Sequence, residues 1–466
     1  MLKKVILASF FLVVVLVLSG CGCKQKSPHL YDLTLEIWGP LDYDAALQEV
    51  VDNYIKLNPN IVRVVYKKIA LENYQKELLD ALAAGQGPDI FLISNSWVPA
   101  FTDKIAPAPI TADTKIINQQ KFNSNFVDVA ASDFINQGNI YGVPLSVDSL
   151  ALYYNKDLFN QAGIAVPPAN WNEFIADVIK LTKIDSFGNI VQSGAAMGTA
   201  YNINRPTDIL NLMMIQNGTE MVDSDGRAIF ERAMANQSGM GSVYPGEEAL
   251  KLYTQFADSG SSFYTWNPNL HYSLDAFSEG TVAMIINYSW NINTIKAKSP
   301  KLNFAIAPVP QFENKPPVNL ANYWGFVVAK NATSKTPENS ATVSNDTRVK
   351  EAWEFLTYFS IKPDGTFVAT SSGGATGQKA DPNFDPAVSF LLKTGQPAAR
   401  RDLIEPQKTD PTIGVFAAGN LMAKTFYRKD ASAEEDIFSQ MIDSVNKGQS
   451  AISDAVKTAA QRVNNL

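Results

Sequence analysis

Between Leu33 and Ile93 the apolar positions switch repeatedly between a period of two and a period near 3.6. Leu33-Thr34-Leu35-Glu36-Ile37-Trp38 alternates and stops at Gly39-Pro40, which predicts a strand. Ala45, Ala46, Val50, Tyr54 and Ile55 then share one face of a helix that Asn58-Pro59-Asn60 ends. Ile61–Ile69 predicts a second strand, Tyr74–Ala84 a second helix, and Ile90-Phe91-Leu92-Ile93 a short buried strand. This order predicts an α/β unit with a mainly parallel sheet flanked by helices. Ligands of such sheets bind beyond the carboxyl ends of the strands, so the loops Trp38–Asp42 and Ser94–Trp97 become candidate contact regions.

The pattern resumes further along. Leu150–Tyr154 predicts a strand, and Asn170 caps a helix over Trp171–Thr182. Glu247–Ser259 and Leu274–Ser278 are predicted helices, Thr281–Ile286 a buried strand, and Asn287-Tyr288-Ser289-Trp290 the opening of another helix. Gly325–Lys330 is a predicted strand and Arg348–Phe359 an amphipathic helix. Asp185–Asn189 and Asp223–Gly226 are polar turns. The second fails as a calcium loop, because Ala228 and Met234 stand where the turn glycine and the closing glutamate belong. No repeat or long linker separates the two halves. Two lobes would therefore be joined by short segments, the candidates being Val143–Asp148, Ala307–Pro310 and about Ser360–Gly374.

The first residues alter the picture most. Lys3-Lys4, an apolar run from Val5 to Leu18 and then Ser19-Gly20-Cys21 predict a lipoprotein leader over 1–20, a lipidated Cys21 and a polar tether over 21–30. The run is shorter than the roughly 20 residues of a spanning helix. On this reading the remainder works outside the cytoplasm, attached to a membrane. A net charge of −7 without a basic block argues against nucleic acid as a partner. Cys21 and Cys23 are the two cysteines, both in the tether, so no core disulfide is expected. With His29 and His271 as its two histidines, the chain offers poor material for a histidine metal cluster or a Ser/His/Asp triad, and neither metal nor cofactor is expected. Aromatic residues are plentiful, with 7 Trp, 17 Tyr and 25 Phe, several in predicted loops where flat, partly apolar ligands bind.

Read in order, Gly87-Pro88-Asp89-Ile90, Tyr141-Gly142-Val143-Pro144, Leu152–Phe159, Trp171-Asn172-Glu173-Phe174, Phe277–Trp290, Ala307-Pro308-Val309-Pro310 and Trp324-Gly325 resemble the family 1 extracellular solute-binding proteins. The resemblance implies a two-lobed periplasmic-binding-protein-like fold of type II with a multi-strand hinge. The first lobe would comprise residues 31–146 and 308–360 and the second 147–307 and 361–466. It also implies closure on a small solute that is handed to an ABC permease. Many members, maltose-binding protein among them, bind sugars, and a receptor of this kind works as a monomer.

Carried over position by position, Asp148 follows the Gly-Val-Pro segment where sugar binders often keep an acidic residue, with support of the hinge as its competing role. Trp290 matches a ring that stacks on a sugar face, since the C–H face of a pyranose is apolar and its edge polar; core packing competes here too. Trp38 and Asp42 belong to the first loop, where a core role and a solvated turn are the alternatives. Asn95, Ser96 and Trp97 follow the Gly-Pro-Asp-Ile strand. Tyr288, Trp324 and Gly374 complete the set, with Trp266 and Arg205 as further loop candidates. The expected function is a lipid-anchored receptor of an ABC importer for a sugar or oligosaccharide. A sensing partner of a membrane signalling protein, or a binder of a polyamine, phosphate ester or small peptide, would use the same fold. A glycosidase would need two paired carboxylates that the sequence does not display.

Overall fold

The computed structural model describes residues 31–58, 60–111, 115–235, 242–331, 343–363 and 380–466. The leader, Cys21, Cys23 and Gly374 lie outside the described residues. Along the chain run β1 (Leu33–Gly39), α1 (Asp44–Leu57), β2 (Ile61–Lys68), α2 (Leu71–Ala83), β3 (Ile90–Ser94), α3 (Asp128–Phe134) and β4 (Val143–Pro144). A second group follows with β5 (Ala151–Asn155), α4 (Trp171–Leu181), β6 (Lys183–Ile184), β7 (Ile190–Ala195), α5 (Pro206–Gln216), α6 (Pro245–Gln255), α7 (Ser273–Glu279), β8 (Val282–Asn287), α8 (Asn291–Lys298) and β9 (Phe304–Pro308). Then come β10 (Asn319–Leu320), β11 (Trp324–Val328), α9 (Asn345–Ser360), α10 (Pro386–Thr394), α11 (Arg401–Gln407), α12 (Gly414–Asn420), β12 (Ala423–Lys424), α13 (Ala431–Asn446) and α14 (Ile452–Asn464). No helix among the described residues is long and apolar enough to cross a membrane.

Two five-stranded sheets, ordered β2-β1-β3-β11-β4 and β9-β5-β8-β7-β6, each carry their own core. The alternation that predicted β1 and the helical stripe that predicted α1 hold. Leu33, Leu35 and Ile37 are fully buried, as are Val50 and Tyr54. The expectation of mainly parallel sheets does not hold. In the first sheet β1 pairs in parallel with β2 and β3, but β11 runs antiparallel to β3 and β4. In the second, β8–β7 is the parallel pairing, while β9–β5, β5–β8 and β6–β7 are antiparallel. The reason is topological. A parallel neighbour needs a crossover on one face of the sheet, whereas β11 enters the first sheet on its way back from the other lobe.

The crossings also differ from those expected. The first lies at Leu145–Leu150, close to the predicted Val143–Asp148. The second lies near 320–324 rather than at Ala307–Pro310, where Phe304–Pro308 is instead the edge strand β9. The expected third segment falls mostly on residues outside those described, and the chain returns instead through α12 and β12. Phe390, Leu391, Ala398, Ala399 and Ile404 pack in the first core, so the expected assignment of all of 361–466 to the second lobe is corrected. Likewise Val309 and Leu320 belong to the second core, not the first. These apolar positions were visible in sequence, but periodicity does not reveal which of two cores a helix joins.

The three crossings are tied to one another. Asn322 N–H donates to the Asp148 carbonyl at 3.0 Å, and Ser149 Oγ donates to the Phe416 carbonyl at 3.2 Å. Asn319 Nδ2 donates to the Leu150 carbonyl at 2.8 Å, and Asn420 Nδ2 to that of Val147 at 2.5 Å. β10 pairs in parallel with β12 beside them. Gly419 is required where these strands meet, because a Cβ there would lie 2.6 Å from Ser149 Oγ and 2.7 Å from Asn319 Nδ2.

Candidate ligand cleft

Where the two lobes face each other they leave a cleft of about 660 Å³. Its first-lobe wall comes from the ends of β3 and β11. The backbone turns at Ser94 into a short helical turn, which carries Ser96 and Trp97 into the cleft beside Trp324. The two indoles meet edge to face at 5.2 Å and 75°, and Tyr74 supports Trp324 from behind at 5.9 Å. Tyr43 lines the same wall, its hydroxyl donating to Gln396 Oε1 at 3.0 Å.

The second-lobe wall is built on the segment between β8 and α8. Tyr288 is fully buried and donates its hydroxyl to Asp208 Oδ2 at 3.1 Å. Trp290 lies parallel to it, 4.4 Å away with 20° between ring planes, and is 43% exposed on the cleft side. The Arg205 guanidinium carbon sits 5.6 Å from the Trp290 ring centre, with Asp208 at 3.8 Å and Glu435 at 4.0 Å from its nitrogens. Arg205 holds φ of 61° and ψ of 43° just before α5, a left-handed conformation unusual for a side chain of this kind.

Asp148 stands at the floor, where the first crossing enters the second lobe. Oδ1 accepts from Ser149 N–H at 2.9 Å, and Oδ2 accepts from Ser289 N–H at 2.9 Å and Ser289 Oγ at 2.6 Å. It therefore braces the loop that carries Trp290 while lining the cleft. Burial pushes its carboxyl up to about 7, and those hydrogen bonds offset this only in part. A carboxyl that binds its proton more readily folded than unfolded stabilises the fold at low pH. That contribution is lost as pH rises from the ordinary carboxylate range near 4 through about 7. Melting temperatures of wild type and Asp148→Asn measured across this window are expected to diverge, the wild type falling more steeply. Parallel curves would refute the assignment. Asp133, pushed up to about 6 by burial, acts in the same direction in both proteins.

Several expected contacts lie elsewhere. Trp38 packs in the first core, its Nε1 donating to Glu36 Oε1 at 2.6 Å and Lys67 Nζ lying 3.8 Å from its ring centre, so the strand turns it away from the cleft. Asp42 is exposed and paired with Lys68 Nζ at 2.6 Å; its neighbours Leu41 and Tyr43 line the cleft instead. Trp266 is 1% exposed in the second core and bonded to Asn202, remote from the cleft. Tyr288 stands behind Trp290 rather than on the surface. Asn95 is buried and lines a smaller adjoining pocket. Asp148, Ser96, Trp97, Trp290, Trp324 and Arg205 do meet in the cleft. Sequence reading missed Tyr43, Asn293, Asn322, Gln396 and Glu435, all of them lining residues. Asn293 sits three residues past Trp290, one helical turn on, and this spacing was a usable signal. Gln396 and Glu435 come from α10 and α13 regions that only the tertiary fold brings there.

Two α/β lobes tied by three crossings and facing each other across an aromatic-walled cleft define a two-lobed small-molecule binding protein. The chain belongs to the family of bacterial extracellular solute-binding proteins, which it matches over residues 38–360. It is similar to a binding protein of Brucella abortus, 27% identical over 271 residues, which are 56% of this chain and 59% of that one. The chain thus spans about three fifths of that relative. It is also similar to the maltodextrin-binding protein MdxE of Bacillus subtilis, 25% identical over 67% of this chain and 69% of that one. Among solved structures, the cyclic α-maltosyl-1,6-maltose binding protein of Arthrobacter globiformis shares the fold with a TM-score of 0.70 and 20% identity. That match covers 93% of this chain and 98% of the other.

Proposed function

We propose that the protein is the extracytoplasmic receptor of an ABC importer for a sugar or oligosaccharide, held to the membrane by lipid on Cys21. The observation that carries the sugar reading is the pairing, across one cleft, of the exposed Trp290 face with the Trp97–Trp324 wall, interspersed with Ser96, Asn293, Asn322 and Gln396. Flat rings complement the apolar faces of a pyranose, and amides and hydroxyls complement its edge. Relatives and fold neighbours described as binding maltodextrin or maltosyl sugars support it. The mechanism is binding without covalent chemistry. The ligand touches both walls only when the lobes close, so it favours the closed state, which the permease then reads. Lysines 3 and 4, the apolar run and Ser19-Gly20-Cys21 support the anchor.

A thermal-shift screen of the purified chain against mono- and oligosaccharides, polyamines, amino acids and phosphate esters tests this. A ligand that binds only the folded chain adds about 2.7 kcal/mol at a hundredfold excess over its dissociation constant. The expected result is a shift with one sugar class. A shift with a polyamine or phosphate ester alone would overturn the sugar reading.

A further inference from the structure

The loop that leads into α5 holds a backbone conformation its sequence does not favour. Arg205 sits at φ 61° and ψ 43°, where the Cβ of an L-residue crowds the backbone and glycine or asparagine is the usual occupant. Such a residue persists only where its surroundings over-determine it, and outliers of this kind gather at functional sites. Its neighbour Asn204 supplies the restraint. The Asn204 N–H donates to Ser273 Oγ at 2.8 Å, its Nδ2 donates to the Tyr272 hydroxyl at 2.7 Å, and its Oδ1 accepts from Asn287 Nδ2 at 2.8 Å. On the other side Pro206 opens α5 with its φ fixed, and Ile209 N–H donates to the Arg205 carbonyl at 3.1 Å. Asn287, the last residue of β8, also accepts at Oδ1 from Tyr288 N–H at 3.0 Å and from Asn291 Nδ2 at 2.7 Å. The loop that carries Arg205 is thus fastened to the segment that carries Tyr288 and Trp290.

This conformation sets the guanidinium against the stacked pair. Its carbon lies 5.6 Å from the centre of the Trp290 ring and 5.9 Å from that of Tyr288, within cation–π range of both. The carboxylates beside it do not orient it, since Asp208 at 3.8 Å and Glu435 at 4.0 Å stand beyond hydrogen-bond length. A part-exposed indole resting on one ring can change rotamer, and a cation held in a fixed place against both rings removes that freedom. We infer that Arg205 is a positioning residue of the cleft, which fixes the plane of Trp290 in the ligand-free protein so that the ring is already oriented when the ligand arrives. The inference rests on the reading of Trp290 as a ligand-facing ring and adds the device that pre-organises it.

Arg205→Gly removes the guanidinium while keeping the loop, because glycine adopts this φ without steric cost. Near-UV circular dichroism of a Tyr–Trp pair stacked at 4.4 Å depends on a fixed orientation of the rings. The signal of the pair is isolated as the difference between wild type and Trp290→Phe. Recorded again between Arg205→Gly and the double variant with Trp290→Phe, this difference is expected to lose most of its amplitude. An unchanged difference would overturn the positioning role. Calorimetric titration with maltotriose then reads the effect on binding. Arg205→Gly is expected to weaken it about fivefold or more, the scale of one cation–π contact, and to add little once Trp290 is Ala. An equal loss in the Trp290→Ala background would also overturn the role, because the guanidinium would then act on the ligand directly. Should wild type not bind maltotriose, the failure falls on that sugar, and the difference spectrum still decides the role of Arg205 without a ligand.

Discussion

Trp290→Ala is expected to weaken binding of the sugar found in the screen about thirtyfold or more while leaving the melting temperature of the ligand-free protein nearly unchanged. The ring is 43% exposed and rests on Tyr288 at 4.4 Å, so its removal opens no cavity in the core. What it takes away is the broad apolar face that the second lobe offers to the cleft. Buried aromatic anchors of this kind cost about 2 kcal/mol or more when truncated, which is about thirtyfold in affinity. Trp290→Phe keeps a flat surface and is expected to recover part of the loss. Trp38→Ala is the informative contrast: Trp38 packs in the first core outside the cleft, so its loss should lower stability instead. Calorimetric titration alongside thermal melting separates the two effects. Full affinity in Trp290→Ala would assign the stacked pair to structure alone.

The contrast between these two tryptophans shows what the sequence could convey. Local pattern placed β1, α1, β2, α2, β3, α4, β8 and α9 to within a few residues, the helices α1, α2 and α4 through their one-sided apolar stripes and β3 and β8 through short continuous apolar runs buried on both faces. The same burial makes Trp38 and Trp266 look identical to Trp97 and Trp290 in a sequence. A large aromatic at a strand end is either turned into a core or toward a cleft, and that depends on the strand's register within its sheet. Motif order singled out Asp148 and Trp290, which line the cleft because they sit at the crossing and just past the end of β8. Long-range contributors were out of reach. Tyr43 bonds Gln396 across 353 positions, and Asn95 meets Tyr323 across 228, contacts that no local pattern encodes. The sheet directions were misread for a related reason: a strand that arrives from another lobe escapes the rule that binds consecutive strands and helices.

Asp89→Ala is expected to destabilise the first lobe by about 3 to 5 kcal/mol without touching the cleft. Asp89 is fully buried at the start of β3, and Arg348, 5% exposed on α9, donates to its Oδ1. Its Oδ2 accepts from Glu36 N–H at 2.8 Å, and its own N–H donates to the Glu36 carbonyl at 3.0 Å. Ala329 N–H, just past β11, donates to the Asp89 carbonyl at 2.9 Å. One residue thus fastens β1, β3 and β11 to the helix that covers them. Truncation removes the carboxylate from a guanidinium that cannot lose its charge and takes an acceptor from the Glu36 N–H, while leaving the desolvation of Arg348 in place. Set against the 5 to 15 kcal/mol typical of whole domains, such a loss is a large share of the lobe's stability. Replacing both partners, Asp89→Leu with Arg348→Met, is expected to recover much of it, because the cost of a broken buried pair lies mainly in the charge left behind. Urea unfolding of the single and double variants decides the point. A single variant with an unchanged midpoint would show that the pair contributes little, and a double variant no better than the single would locate the loss in the Glu36 contact instead.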